Sequence, residues 1–530
     1  MDPQADSLLD SAIPLEDATP YDRSLKWTIH QRYYQERGNK AWLDGEVPFN
    51  ITCNSAAARQ NASLVYSAVE AMEQEGALSP TLPIRVLEVA SGLGLFAINF
   101  IQAFKEMDRV KGNDFSKRLK YFFTDFSEKN LTDASANPTL KDLHAHGTVE
   151  FRVLNAMTPD VFRSLSSPTE EPVPALTAVI ANYLHCCLPL SIIRKEGDHL
   201  LEKHIRLSLL VPLTTPNREE YARNFVSHPI ERNIDNLQEE VIWKDLPEAF
   251  FDHPRHEEII RDGTAQYPVA TIEYPRGSFV SLERSLPTLL PGGIIVISDK
   301  GYSDSSYMEG EGACAPSFHG NSFAHGLNFP LLELLAKKLN CGTSRTSNPH
   351  YSLQTLLVEK RPFSLLSSLF RRLFVDENDN VASNDFNAAA WKFEETKQYP
   401  EAIRFYQRAL RFRPNDAHIH YCIGRCFSEQ GDSERALRSF EAGQALDHFS
   451  EYNFAFMIGY VLHTLGKFAE ALPHYRQSQE HKPSEITLGN IGLCFENLGE
   501  TANALSSYQA ALAMNPAYET ARNALERLAR

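Results

Sequence analysis

The chain has 530 residues, 43% of them hydrophobic and 23% charged, an ordinary globular composition in a length that calls for two or three hydrophobic cores. A formal net charge of -16 opposes a phosphate backbone and excludes nucleic acid as the main partner. The eight cysteines lack paired spacing, and the neighbours Cys186 and Cys187 cannot close a relaxed disulfide, which fits a reducing compartment. Cys422 and Cys426 fall at i and i+4 of a repeat helix, where they read as small core side chains, so no metal is assigned. The acidic start MDPQADSLLD carries no export signal, and no apolar run approaches the roughly 18 residues of a membrane span, so a cytoplasmic protein is expected.

In chain order, residues 1–83 read as an N-terminal helical segment and residues 84–360 as one α/β domain. IRVLEVA, residues 84–90, is an apolar run suited to a buried parallel strand, and the turn SGLG leads from it into the helical segment LFAINFIQAFKEM. Gly92 and Gly94 let a backbone approach a nucleotide-like ligand, but the same spacing satisfies the dinucleotide fingerprint, so the glycines do not separate a nicotinamide cofactor from S-adenosylmethionine. Glu88 favours the methyl donor, because a carboxylate at this strand end suits a cationic methionine moiety and repels a pyrophosphate. YFFTDFS is a strand ending in Asp125, where a carboxylate can accept hydrogen bonds from two ribose hydroxyls, with Phe126 beside it. VEFRVLNA and LTAVIANYLHCCLP read as third and fourth strands, which place Asn155 and Ala156 beside the adenine and Asn182 to Cys186 under the transferable methyl. Residues 190–285 exceed a simple crossover and read either as a substrate-covering lobe or as extra helices covering the sheet. LPTLLPGGIIVISDKGY, a helix and TSRTSNPHYSLQTLLVEK then give a fifth strand and a closing hairpin, an order typical of class I methyltransferases.

Residues 361–382 read as a linker whose RPFSLLSSLFRRLF stretch is basic and amphipathic, suited to a membrane surface, a partner or an interdomain contact, with DENDN as the hinge. From 383 one pattern recurs four times: a small residue at Ala390, Gly424, Gly459 and Gly492, a second at Ala402, Ala436, Ala471 and Ala504, and an aromatic at Tyr406, Phe440, Tyr475 and Tyr508. The steps of 34, 35 and 33 residues are the tetratricopeptide (TPR) period, and Pro414, Pro483 and Pro516 close three of the repeats while His448 stands in the fourth place. Small residues let paired helices approach, aromatics fill the gap, and the last stretch ETARNALERLAR suits a capping helix, so residues 383–530 read as an all-α solenoid of four repeats. Its concave face is expected to bind a protein or peptide; folding back on the α/β domain or forming a homodimer are the alternatives.

VLEVASGLG, FFTDFSE, ANYLHCCLP, ISDKGY and FAHGLNF together make residues 30–360 resemble the MidA-like family of S-adenosylmethionine-dependent methyltransferases, which includes a protein arginine methyltransferase that assists mitochondrial complex I assembly. The resemblance implies a class I Rossmann-like methyltransferase domain ahead of the TPR solenoid. It makes Glu88, Gly92, Gly94 and Asp125 donor-binding and puts Asn182 and Asp299 in the catalytic cleft; the strand-end reading adds Ala90, Phe126, Asn155, Ala156 and Asn182 to the donor site and Tyr183 and His185 to the cleft. Tyr183 and Cys186 stand where the family has Glu and Asp. A guanidinium is always charged and calls for acids to hold it, so these two departures argue against simple arginine methylation. The expected function is methyl transfer to a protein recruited through the repeats; methylation of a small molecule, or a scaffold with a degenerate domain, are the alternatives.

Overall fold

The computed structural model describes residues 11–47, 50–227, 234–310, 316–348 and 352–528. The chain divides into two compact units, Met1–Cys53 with Ala57–Asn378, and Asn54–Ala56 with Asp379–Arg530.

The first unit is mixed α/β. Its longer strands are β1 (Ser11–Pro20), β2 (Ile84–Val89), β3 (Leu119–Asp125), β4 (Val149–Val153), β5 (Leu176–Asn182), β6 (Ser191–Glu196), β7 (His199–Val211), β8 (Leu237–Asp245), β9 (Val269–Tyr274), β10 (Leu289–Tyr302), β11 (Gly342–Arg345) and β12 (Ser352–Glu359). The main sheet has the order β11-β12-β10-β5-β2-β3-β4, with Leu327–Asn328 added beside β10. The run from β10 to β4 is parallel, and β12 runs antiparallel between β10 and β11. Continuous apolar sequence explains the burial of the central strands: Leu87, Val89, Val179, Ile295 and Ile297 join Leu331 and Leu335 in one core. Helix α1 (Leu25–Arg37) precedes β2, and helix α2 (Leu95–Lys111) follows it directly after the glycine turn.

Two expectations are corrected here. The N-terminal segment, expected to be helical, carries its helices but also the strand β1 before them. Of the two readings of the stretch between the fourth and fifth strands of the main sheet, extra helices alone do not hold: β6 to β9 form an antiparallel sheet that β1 completes by pairing with β7. β1 alternates Ile13 and Leu15 toward the apolar cluster of Trp27, Ile205, Leu207, Leu209 and Phe323, so a short strand is the conformation that buries this face. The amphipathic linker stretch is a helix, α3 (Ser364–Arg371), running on through a turn over Arg372–Asp376. Leu366, Phe370 and Phe374 are buried, and Gln60 Nε2 donates to Leu373 O at 2.7 Å, so its apolar face is spent on packing within this unit rather than on a membrane. Among the described residues no helix is long and apolar enough to cross a membrane.

The second unit is a row of antiparallel helix pairs: α4 (Asp379–Glu395) with α5 (Tyr399–Phe412), α6 (Ala417–Glu429) with α7 (Ser433–Leu446), α8 (Phe454–Thr464) with α9 (Phe468–His481), α10 (Glu485–Asn497) with α11 (Thr501–Met514), and then α12 (Glu519–Leu528). Small residues sit where aromatics press: a Cβ on Gly424 would lie 2.5 Å from the Phe440 ring, and one on Gly492 would lie 2.6 Å from that of Tyr508. At the repeat where His448 replaces proline, α7 still ends at Leu446. Asp447 accepts from Glu451 N at 2.9 Å and Tyr452 N at 3.0 Å, and so fixes the turn that proline fixes elsewhere. α12 buries Ala521 and Ala524 on the last pair and keeps its charges outward.

Candidate functional site

A cavity of about 380 Å³ opens in the first unit at the carboxyl ends of β2, β3, β4 and β5, where open α/β sheets place their ligands. Its wall carries Ala90 and Leu93 after β2, Asp125 and Phe126 at the end of β3, Asn155 and Ala156 after β4, and Asn182, Tyr183, Cys186 and Cys187 from β5 onward. The opposite side is built by α1, through His30 and Tyr34, with Trp42, Cys53, Lys300 and His319.

The turn after β2 is set by its backbone. Ala90 has φ 58°, Gly92 φ 53° and Gly94 φ 96°, left-handed values that glycine adopts without strain. A Cβ on Gly94 would meet Leu140 Cδ1 at 2.8 Å and Phe123 Cε2 at 2.9 Å, so this glycine lets α2 start close against the sheet. The turn is tied to the next strand: Asn130 Nδ2 donates to Gly92 O at 2.9 Å and to Asp125 Oδ2 at 2.8 Å, while Ser127 N donates to Asp125 Oδ1 at 2.9 Å. Burial pushes the Asp125 carboxyl up to about 6, against the bonds from Ser127 and Asn130.

Glu88 lies behind the wall. It is almost fully buried and accepts from Tyr121 Oη at 2.9 Å; the thiol of the wall residue Cys53 is pushed up first by burial and then by Glu88. Burial pushes Glu88 up to about 8, only partly offset by the hydrogen bonds from Tyr121 and Ser91, so near neutral pH it is mostly protonated.

Beyond β5 the chain turns sharply: Tyr183 has φ 50°, and its N–H donates to Ser298 O at 2.9 Å. Asp299 is fully buried and accepts from Cys186 N at 3.0 Å and Lys300 N at 2.8 Å, which anchors the short helical turn His185–Cys187. Burial pushes Asp299 up to about 7, and burial alone lowers His185 to about 4, so the imidazole is neutral. Both side-chain atoms of the Asn182 amide are buried and have no hydrogen-bond partner among the described residues, although Asn182 is on the cavity wall. An amide left open in this way costs free energy unless something entering the cavity completes it.

Of the residues singled out in the sequence, Ala90, Asp125, Phe126, Asn155, Ala156, Asn182 and Tyr183 meet on one cavity. Glu88, Gly92, Gly94, His185 and Asp299 stand outside its wall and act on it through neighbours: the glycines shape the turn, and Asp299 holds the helical turn that carries Cys186 and Cys187. Sequence reading passed over His30, Tyr34, Trp42, Cys53, Asn130, Cys187 and His319. Only Asn130 carried a usable signal, an amide five residues after a strand-end acid; the others reach the cavity from segments whose pattern is that of ordinary helix or loop.

Comparison with known proteins matches the second unit. A TPR repeat profile matches residues 394–431, and tetratricopeptide repeat profiles match 421–486 and 487–518. The C-terminal region is therefore a TPR array. Among solved structures, MamA from Desulfovibrio magneticus is 18% identical, covering 28% of this chain and 83% of that one with a TM-score of 0.27. YrrB, described as a TPR protein with an unusual peptide-binding site, is 22% identical over 29% of this chain and 77% of that one, with a TM-score of 0.25. An uncharacterized superfamily protein from Burkholderia thailandensis is 12% identical and covers 66% of this chain and 90% of that one, with a TM-score of 0.40. No curated protein matches the chain.

Proposed function

We propose that the α/β unit is an S-adenosylmethionine-dependent methyltransferase of the class I Rossmann-like kind, and that the TPR repeats recruit the protein it acts on. The observation that carries this reading is the Asn182 amide, unpartnered on the wall of a cavity that also carries Asp125 at a strand end. The strand order supports it as well, because an antiparallel strand between the last parallel strand and its hairpin partner belongs to that class rather than to dinucleotide-binding sheets. The residues fit the donor: Asp125 accepts from the ribose hydroxyls, Phe126, Asn155 and Ala156 flank the adenine, and the open Asn182 amide binds the methionine end. Glu88, one layer behind, supplies negative potential toward the cationic end once it loses its proton.

S-adenosylmethionine supplies an electrophilic methyl. The protein's part is positioning: Tyr183 is held by its strained turn, Asp299 fixes the Cys186 backbone, and Tyr34 and Trp42 close the opposite wall against water. A second reading, a scaffold that binds the donor without turnover, draws on Tyr183 and Cys186 in place of two acids and on the position of His185 and Asp299 outside the wall. Incubating the full chain with donor deuterated at its methyl, together with fractionated cell protein, separates the two. Methyl transfer that disappears in Asp125→Asn supports the enzyme; saturable donor binding with no transfer to any fraction supports the scaffold.

A further inference from the structure

Cys186 and Cys187 both line the cavity with their sulfurs 3.6 Å apart. Their surroundings differ. Cys186 sits on Asp299, whose carboxylate accepts the Cys186 N–H, so a second negative charge is disfavoured on that sulfur. Cys187 faces two imidazoles, His30 on α1 and His319 on the strand Ser317–His319. His30 Nδ1 accepts from Phe323 N at 3.2 Å, which leaves Nε2 carrying the proton and available to donate to Cys187. Cys187 is held well below the usual thiol range, first by the hydrogen bond from Cys186 and, against burial, by His30 and His319, while Cys186 is pushed well above it. Of the two sulfurs, Cys187 is the one whose surroundings favour negative charge. The other titratable and charged groups facing it are Tyr34 on α1, and Asp299 and Lys300 on β10.

We propose that Cys187 Sγ is a covalent-modification site for α,β-unsaturated carbonyl compounds that enter the cleft. Four observations carry it: a cavity, a partly exposed cysteine sulfur on its wall, a second sulfur 3.6 Å from it with the His30 imidazole beside the pair, and the Lys300 ammonium on the same wall. The sulfur's lone pair forms an S–C bond at the β-carbon, the C=C π pair moves to give an enolate, and the α-carbon takes a proton from water. No group leaves, and nothing is oxidised. Lys300 and His319 on the wall stabilise the enolate oxygen, and Tyr34, Trp42, Leu184 and Leu188 give the apolar surface that an organic electrophile needs and a hydroperoxide does not. Oxidation also lacks a resolving partner, since the adjacent Cys186 cannot close a relaxed disulfide.

The test uses the full chain and N-ethylmaleimide, with labelling of each cysteine followed by peptide mass spectrometry between pH 5.5 and 9. Cys187 is expected to label at least about tenfold faster than the partly exposed Cys341 at pH 6.5, with a rate that is flat above that pH. His30→Phe should slow Cys187 at pH 6.5 and leave it unchanged at pH 9. Labelling of Cys187 no faster than Cys341, or a Cys187 rate that climbs about tenfold per pH unit through pH 8 as for an ordinary thiol, overturns the proposal.

Discussion

Tyr406 and Tyr508 donate their hydroxyls to Glu394 and Glu496, each twelve residues upstream, whereas the equally sunken amide of Asn182 meets no partner among the described residues. In the first and fourth repeats the aromatic hydroxyl is thus closed on an acid of the same repeat. In the α/β unit the unsatisfied groups include the Asn182 amide, which lies on the cavity wall. A satisfied buried group holds the fold together, whereas an unsatisfied one on a cavity wall, such as the Asn182 amide, is where an entering ligand gains most.

The repeat that departs from the rule sharpens the contrast. In the third repeat His463 holds the position of the acid, and the Tyr475 hydroxyl has no partner among the described residues. The comparison is broken most severely by Phe440→Ala, which empties the space against Gly424 and should cost about 3 to 5 kcal/mol, read as lost helical signal on denaturant unfolding. Asp125→Asn should weaken S-adenosylmethionine binding by about 10- to 100-fold without moving the unfolding midpoint of the repeats, because it removes a charged acceptor from the wall. Tyr406→Phe should cost about 1 kcal/mol, since it deletes the hydrogen bond to Glu394 while leaving that acid its ion pair with Arg425. Tyr475→Phe should be neutral to within about 0.5 kcal/mol; a loss as large as that at Tyr406 would show that the hydroxyl is satisfied after all.

Legibility in the sequence follows the same division. The array could be read because each position is written four times, so that one departure, His448, could not hide the period, and Asp447 does locally what the proline does elsewhere. The main sheet could be read from apolar runs such as IRVLEV and LTAVIA, whose burial on both faces leaves a continuous signal. The antiparallel sheet could not: β1 is separated from its partner β7 by more than 180 residues, and SAIPLEDATP has no pattern that names a distant edge. The cavity was half legible. Strand-end residues such as Asp125 and Asn182 follow from topology, but His30 and Tyr34 arrive on a helix whose sequence carries no pattern that names a site, and Glu88, though read as a ligand contact, lies one layer behind the wall.

That layer gives the most direct test of the account. Burial raises Glu88 from its ordinary carboxylate value to about 8, so between roughly pH 5 and 8 the folded chain keeps a proton that the unfolded chain has lost; the stability tied to this group is full below about pH 5, falls across that window and is gone once pH has risen through 8. A cation bound in front of it favours the charged form and lowers its value, so binding expels the proton and affinity rises with pH up to about 8. Calorimetric titration of the full chain with S-adenosylmethionine at pH 7, in two buffers of different ionisation enthalpy and with NAD as the control ligand, reads this directly. The account predicts binding of S-adenosylmethionine alone, with release of about one proton that disappears in Glu88→Gln. No binding of S-adenosylmethionine, or binding of NAD in its place, would contradict it.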